Sequence, residues 1–178
     1  MPEIVLADPS LVVLVGAAGA GKTTFAARHF DPDEVLSSDA LRRIVSGDEA
    51  NQAATKAAFV VLHKALERRL ASGRTTVVDA TSIEPGARRA LLARALAAGI
   101  PASAIVLDLP ARTVIARNAA RPARVVDMAV VRRQLDRLRA SLDGPDPALW
   151  REGFAQVVVL NAPEDVDAVT VRRIQAPA

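Results

Sequence analysis

A chain of 178 residues, 51% hydrophobic and 24% charged with a net charge of +3, has the size and composition of one globular domain, not of a disordered or fibrous chain. It has no cysteine, which excludes disulfides and cysteine-bound zinc and is compatible with a reducing cytoplasm. No apolar run approaches the roughly 20 residues of a membrane-spanning helix, and Glu3 and Asp8 ahead of LVVLVGAAGA argue against a signal peptide. We therefore expect a single cytoplasmic domain over residues 1–178, with no membrane contact.

Strand and helix patterns alternate along the chain. LVVLV (11–15) is a short continuous apolar run before glycines, as a buried parallel strand requires. A helix is expected from Lys22 to His29, then a short strand EVLSS (34–38), then a helix capped by Ser38 and running through ALRRIV. Residues 51–72 read as one long helix with Leu62, Leu66 and Leu70 on a single stripe. TTVVDA (75–80) is a further strand. Pro85 suits the first turn of a helix that runs through residue 98 and is ended by Gly99. SAIVLDL (103–109) is expected as a strand and Pro110 to Ala120 as a helix. RPARVV breaks the pattern, and a helix resumes at Asp127 with Val131, Leu135, Leu138 and Leu142 on its apolar seam. DGPDP (143–147) is a turn, AQVVVLN (155–161) a fifth strand, and VTVRRI (169–174) an edge strand. The alternation predicts an α/β fold, a five-stranded mainly parallel sheet with helices on both faces.

The stretch Gly16-Ala17-Ala18-Gly19-Ala20-Gly21-Lys22-Thr23 matches G-x-x-x-x-G-K-[ST] in full, between an apolar strand and a helix. Glycines let the backbone curl so that its N–H groups point at phosphate oxygens, and the helix adds its positive end. These residues and Thr24 are expected to bind ATP, with Lys22 on the β and γ phosphates and the Thr23 hydroxyl on Mg²⁺. No N/T-K-x-D guanine signature is present, which favours ATP over GTP. The chain is short for a mechanical ATPase, so a small P-loop kinase of the nucleoside-kinase type is the leading class.

Three further segments carry chemistry. In SSDALRR, Asp39 and Arg42 are spaced i, i+3 on one helix face. A carboxylate there can accept the proton of an attacking hydroxyl, and the arginine can hold an anionic acceptor. Asp39 at a helix N-terminus also has a purely structural explanation. Asp79 ends the strand TVVDA, where an acid can orient the Mg²⁺ shell through water or simply terminate a strand. Asp108 has the same placement and a weaker case, since Pro110 follows. Residues 111–140 hold eight arginines against Asp127 and Asp136. Among them Arg117, Arg121 and Arg124 suit a short lid over residues 117–126 that closes on the nucleotide phosphates. A solvated basic surface or a contact to nucleic-acid phosphates remain open for this segment. His29 and His63 are too few for a histidine metal cage.

Taken together, GAAGAGKTTFA, SSDALR, DEANQAATKAAFVVLH, RLASGRTTVVDAT, ARNAARPAR, VVRRQ and REGFAQVVVLN resemble, in order, the 5′-hydroxyl polynucleotide kinase domain of bacterial polynucleotide kinase–phosphatase RNA-repair enzymes. The resemblance runs from about residue 10 to the end of the chain. It implies ATP- and Mg²⁺-dependent phosphorylation of a 5′-OH end of RNA or DNA. It implies Lys22 and Thr23 on phosphates and metal, Asp39 as general base, Arg42 on the acceptor's phosphate, and Arg117 and Arg121 as lid residues on ATP. The family often has DATN where this chain has Asp79-Ala80-Thr81-Ser82, which bears on acceptor contacts. Two other functions compete: a kinase for an antibiotic, nucleoside or sugar hydroxyl, for which Arg42 would have no phosphate to hold, and a nucleotide-sensing module with slow hydrolysis.

Overall fold

The computed structural model describes residues 3–46, 55–122 and 124–175. Its centre is a five-stranded sheet of order β3-β4-β2-β5-β6, all strands parallel. The strands are β2 (Leu11–Val15), β3 (Val35–Ser37), β4 (Thr76–Asp79), β5 (Ala102–Leu107) and β6 (Gln156–Leu160). A separate parallel pair joins β1 (Glu3–Asp8) to β7 (Thr170–Gln175).

The pleat of β2 divides the core in two. Val12 and Leu14 point into a layer with Phe25, Val114, Val131 and Leu135. Leu11, Val13 and Val15 point into the opposite layer with Leu62, Leu66, Leu70 and Leu91. The first layer is covered by α1 (Lys22–His29), α5 (Ala111–Ala119), the start of α6 (Met128–Leu142) and α7 (Pro163–Ala168). The second is covered by α3 (Thr55–Ala71) and α4 (Pro85–Ala97). A strand buried on both faces needs apolar residues at every position, which is why LVVLV is continuous and not alternating. Each fully buried Leu or Val here contributes about 1.5–3 kcal/mol. Among the described residues no helix is long and apolar enough to cross a membrane.

The sequence expectations hold for the five sheet strands and for α1, and most helix ends move by one or two residues. The expected helix over 51–72 is α3 from Thr55 to Ala71; residues 51–54 lie outside the described residues. Three corrections follow. Ser38 is the first residue of α2 (Ser38–Ser46), and the Ala40 N–H donates to the Ser37 hydroxyl at 3.3 Å. Ser37 ends β3 in extended backbone, three residues before that amide, which is where a capping oxygen belongs. VTVRRI is a strand, but it pairs with β1 and is not an edge of the main sheet. β1 is a strand that no expectation covers. Its alternation is visible, with Ile4 and Leu6 buried between acidic ends, yet a six-residue alternation is a weak signal beside a phosphate motif.

Candidate nucleotide and acceptor site

The carboxyl ends of β2, β3 and β4 open into a cavity of about 820 Å³. One wall is the loop between β2 and α1. Gly19 and Gly21 take φ of 91° and 98°, a left-handed conformation that side chains resist. At Gly19 a Cβ would lie 2.5 Å from the Val114 carbonyl and 2.9 Å from the Asn118 amide nitrogen. Glycine here lets α5 press directly on the loop.

Lys22 is buried, and its Nζ donates to the carbonyls of Gly16 and Ala17, both at 2.9 Å. Burial brings its pKa down to about 8, against the opposing pull of Asp79 and with a further push from Arg121. The Thr23 hydroxyl donates to Asp79 Oδ2 at 2.7 Å. This carboxylate ends β4, in register with Leu14. Ala18, Gly19, Gly21, Lys22, Thr23 and Thr24 line the cavity. Gly16, Ala17 and Ala20, expected with them, stand behind it: Gly16 donates its N–H to Thr81 at 3.0 Å, Ala20 donates to the Ala17 carbonyl at 3.1 Å, and Ala17 and Ala20 are fully buried. They shape the loop and do not face the cavity.

The hydroxyl and carboxylate of the Thr23–Asp79 pair are oxygen donors of the kind Mg²⁺ takes, and Mg²⁺ usually keeps several waters and binds substrate phosphates as well. The pair fits that ion. Among the described residues there is no cluster of three His, Cys, Asp or Glu side chains for a metal, so the remaining ligands would come from phosphate and water.

The opposite wall gathers on Asp39, in the first turn of α2. Its Oδ1 accepts from Arg124 at 2.8 Å and forms an ion pair with Arg42. Its Oδ2 lies 3.6 Å from Arg121. Asp39 and Arg42 do share a helix face, as their spacing predicts. Arg124, expected with ATP, lines the same cavity and places its guanidinium on Asp39. Arg117 is on the loop side, its Nη1 3.6 Å from the place a Cβ on Gly21 would take. Arg121 stands between the two walls, close enough to Asp39 for an ion pair and to Lys22 to act on its charge.

The segment carrying Arg121 and Arg124 is fastened at both ends by one residue. Asn118 is buried; its Nδ2 donates to the Val126 carbonyl at 2.7 Å and its Oδ1 accepts from the Val126 N–H at 3.1 Å. Apolar walls come from Phe59, Val125, Val126 and Val130.

Behind β4, Ser82 is buried with φ of 49° and does not line the cavity. Arg88, fully buried, donates to the Ser82 and Ile83 carbonyls at 2.9 and 2.5 Å and bidentately to Glu152 at 2.6 Å. Asp108 stays out of the site. Its N–H donates to Leu160 at 3.0 Å, one carboxylate oxygen is buried without a hydrogen bond, and burial raises its pKa. Sequence reasoning missed Asn118, Arg88 and Gln134; the first and last lay inside the quoted segments ARNAARPAR and VVRRQ, without a role.

Strand, glycine loop and helix, set in this sheet beneath an arginine-bearing lid, make the P-loop kinase fold. The chain belongs to the AAA_33 family of AAA domains, which it matches over residues 11–145. Solved structures agree on the fold. The Pnkp1/Rnl/Hen1 RNA repair complex contains a chain that superposes with a TM-score of 0.64 at 19% identity, over 75% of this chain and 45% of that one. Kti12 from Chaetomium thermophilum, in complex with ADP-AlF3, gives 0.62 at 20% identity over 87% and 90%. A gluconokinase from Sinorhizobium meliloti 1021 gives 0.53 at 18% identity over 90% and 87%. No curated protein matches the sequence.

Proposed function

We propose that this protein transfers the γ-phosphoryl group of ATP to the 5′-hydroxyl of an RNA or DNA end, as in RNA repair. One observation carries the reading: across a single cavity from the phosphate loop, a carboxylate is set among Arg42, Arg121 and Arg124. Such a group suits an acceptor that brings both a hydroxyl to deprotonate and a negative charge to hold.

The triphosphate lies along the loop amides and Lys22. Thr23 and Asp79 would hold Mg²⁺, which would supply positive charge to the phosphates. The acceptor oxygen bonds to the γ-phosphorus as the bond from that phosphorus to the bridging oxygen breaks. ADP leaves with the bridging oxygen, and Asp39 takes the hydroxyl proton. Arg117 and Arg121 stabilise the charge on the moving phosphoryl group. Asp39 has two oxygens and about four acceptor sites, so it can receive a hydroxyl while Arg42 and Arg124 hold it in place.

The similarity to a gluconokinase along most of both chains sustains a second reading, a small anionic hydroxyl compound as acceptor. The apolar walls from Phe59, Val125 and Val130 favour a base over a polyol. The test is a transfer assay with labelled ATP and Mg²⁺ on matched RNA and DNA oligomers carrying either 5′-OH or 5′-phosphate. Label on 5′-OH oligomers alone is expected, falling about 10²–10⁴-fold in Asp39→Asn with ATP affinity unchanged. Label on gluconate-like hydroxyl acids and none on any oligomer would replace this reading with the second.

A further inference from the structure

Gln134 sits on α6, one turn after Val130, and lines the cavity. Val131, Leu135 and Leu138 around it are buried, so its backbone is held firmly. Its Oε1 accepts the Ala18 N–H at 2.9 Å, across 116 residues of sequence. A backbone amide only donates, so the oxygen of this side chain must face the loop and the NH₂ group must take the other branch of the amide. Among the described residues no acceptor is paired with that NH₂ group.

Ala18 directly follows the two carbonyls that hold the Lys22 ammonium. It belongs to the limb of the loop before Gly19, whereas Gly21 to Thr24 form the helix start that seats the inner phosphates. The geometry points to Gln134 as a contact to the terminal phosphate of the nucleotide, its Nε2 donating to a γ-oxygen beside Lys22. The side chain then does two things at once: its oxygen fixes the Ala18 amide, and its nitrogen reads the phosphate that distinguishes ATP from ADP. An uncharged donor suits this place, because Lys22, Arg117 and Arg121 already supply the positive charge.

The inference rests on the phosphoryl-transfer reading, yet it is tested without any acceptor, so the two fail separately. ATP and ADP affinities are measured by calorimetry with Mg²⁺ for three proteins. Gln134→Glu keeps an oxygen for the Ala18 N–H but places a negative oxygen where the donor stood. It should unfold at the wild-type temperature and bind ADP normally, while its preference for ATP over ADP falls about ten- to a hundredfold, the range of a hydrogen bond to a charged group. Gln134→Met removes both contacts and should weaken ATP more than ADP. An unchanged ATP-to-ADP ratio in Gln134→Glu would overturn the proposal and leave Gln134 as a clip for the loop. Equal loss of both nucleotides in both variants would overturn it as well.

Discussion

The two walls of the cavity are built by different means. The phosphate wall is mostly backbone: one contiguous loop, two left-handed glycines and a helix start. The acceptor wall is all side chain, and its central bond joins Arg124 to Asp39 across 85 residues. Backbone amides hold a phosphate chain whatever is attached to it, so the first wall suits a nucleotide used by many enzymes. Side chains gathered from α2 and from the segment after α5 can be exchanged one at a time, so under the proposed transfer the second wall is where acceptor choice would reside. Fold similarity to both an RNA-repair chain and a gluconokinase is the expected result of such a division.

Three perturbations probe how separate the walls are. The largest effect is expected from Arg88→Met. It leaves the Glu152 carboxylate, only 8% exposed, without its partner, and releases the Ser82 and Ile83 carbonyls. Breaking a buried pair in this way costs about 3–5 kcal/mol, read as a lower midpoint in chemical denaturation. Because Thr81 on the same turn holds Gly16, the phosphate wall should loosen with it. Survival of nucleotide affinity in a variant that remains folded would show that the loop stands without this support.

Gly19→Ala should come next. The added methyl meets the backbone of α5, which carries Arg117 and ends at the lid, so both walls should shift together. A displacement near 1 Å costs on the order of a hundredfold in rate. Transfer should fall by that amount, with nucleotide and acceptor affinities both weakened in separate titrations. Loss of nucleotide affinity alone would show that the walls are independent.

The smallest effect is a pH dependence confined to the phosphate wall. With its pKa near 8 in the folded protein against 10.5 as the reference, Lys22 loses its proton earlier when folded than when unfolded. Between those values the unfolded chain binds more protons, so this residue makes stability rise with pH across that window. ATP favours the charged ammonium, so ATP affinity should decline above pH 8 by up to about tenfold per pH unit. Proton uptake on binding, seen by calorimetry in two buffers of different ionisation enthalpy, checks the sign. Acceptor binding should show no such step.

The same division explains what the sequence disclosed. The loop, its flanking strand and α1 are written in consecutive residues, and their boundaries could be read directly. Asp39 and Arg42 lie on one helix turn, so their shared face was legible too, but spacing could not say whether the carboxylate caps a helix or faces a cavity. That depended on Arg121 and Arg124, whose approach is a matter of how α5 packs on Gly19. The Arg88–Glu152 pair was illegible for the same reason, since neither residue has a local pattern that marks it as buried. Gln134 was hidden inside the surface pattern of an amphipathic helix, where a glutamine one position before a core leucine is ordinary.

The double hydrogen bond between Asn118 and Val126 makes the intervening chain a closed ring hung from α5. Its span is set by the clasp, and its position by Gly19 beneath it, whatever residues the ring itself contains. Such a ring is a cassette on a fixed mount. Provided the clasp and Arg121 are kept, the other residues of the ring are positions for exchange by grafting. Under the proposed transfer, replacing ring residues while retaining Asn118 and Arg121, which acts on the Lys22 charge, would be a route to a changed acceptor with the phosphate wall kept.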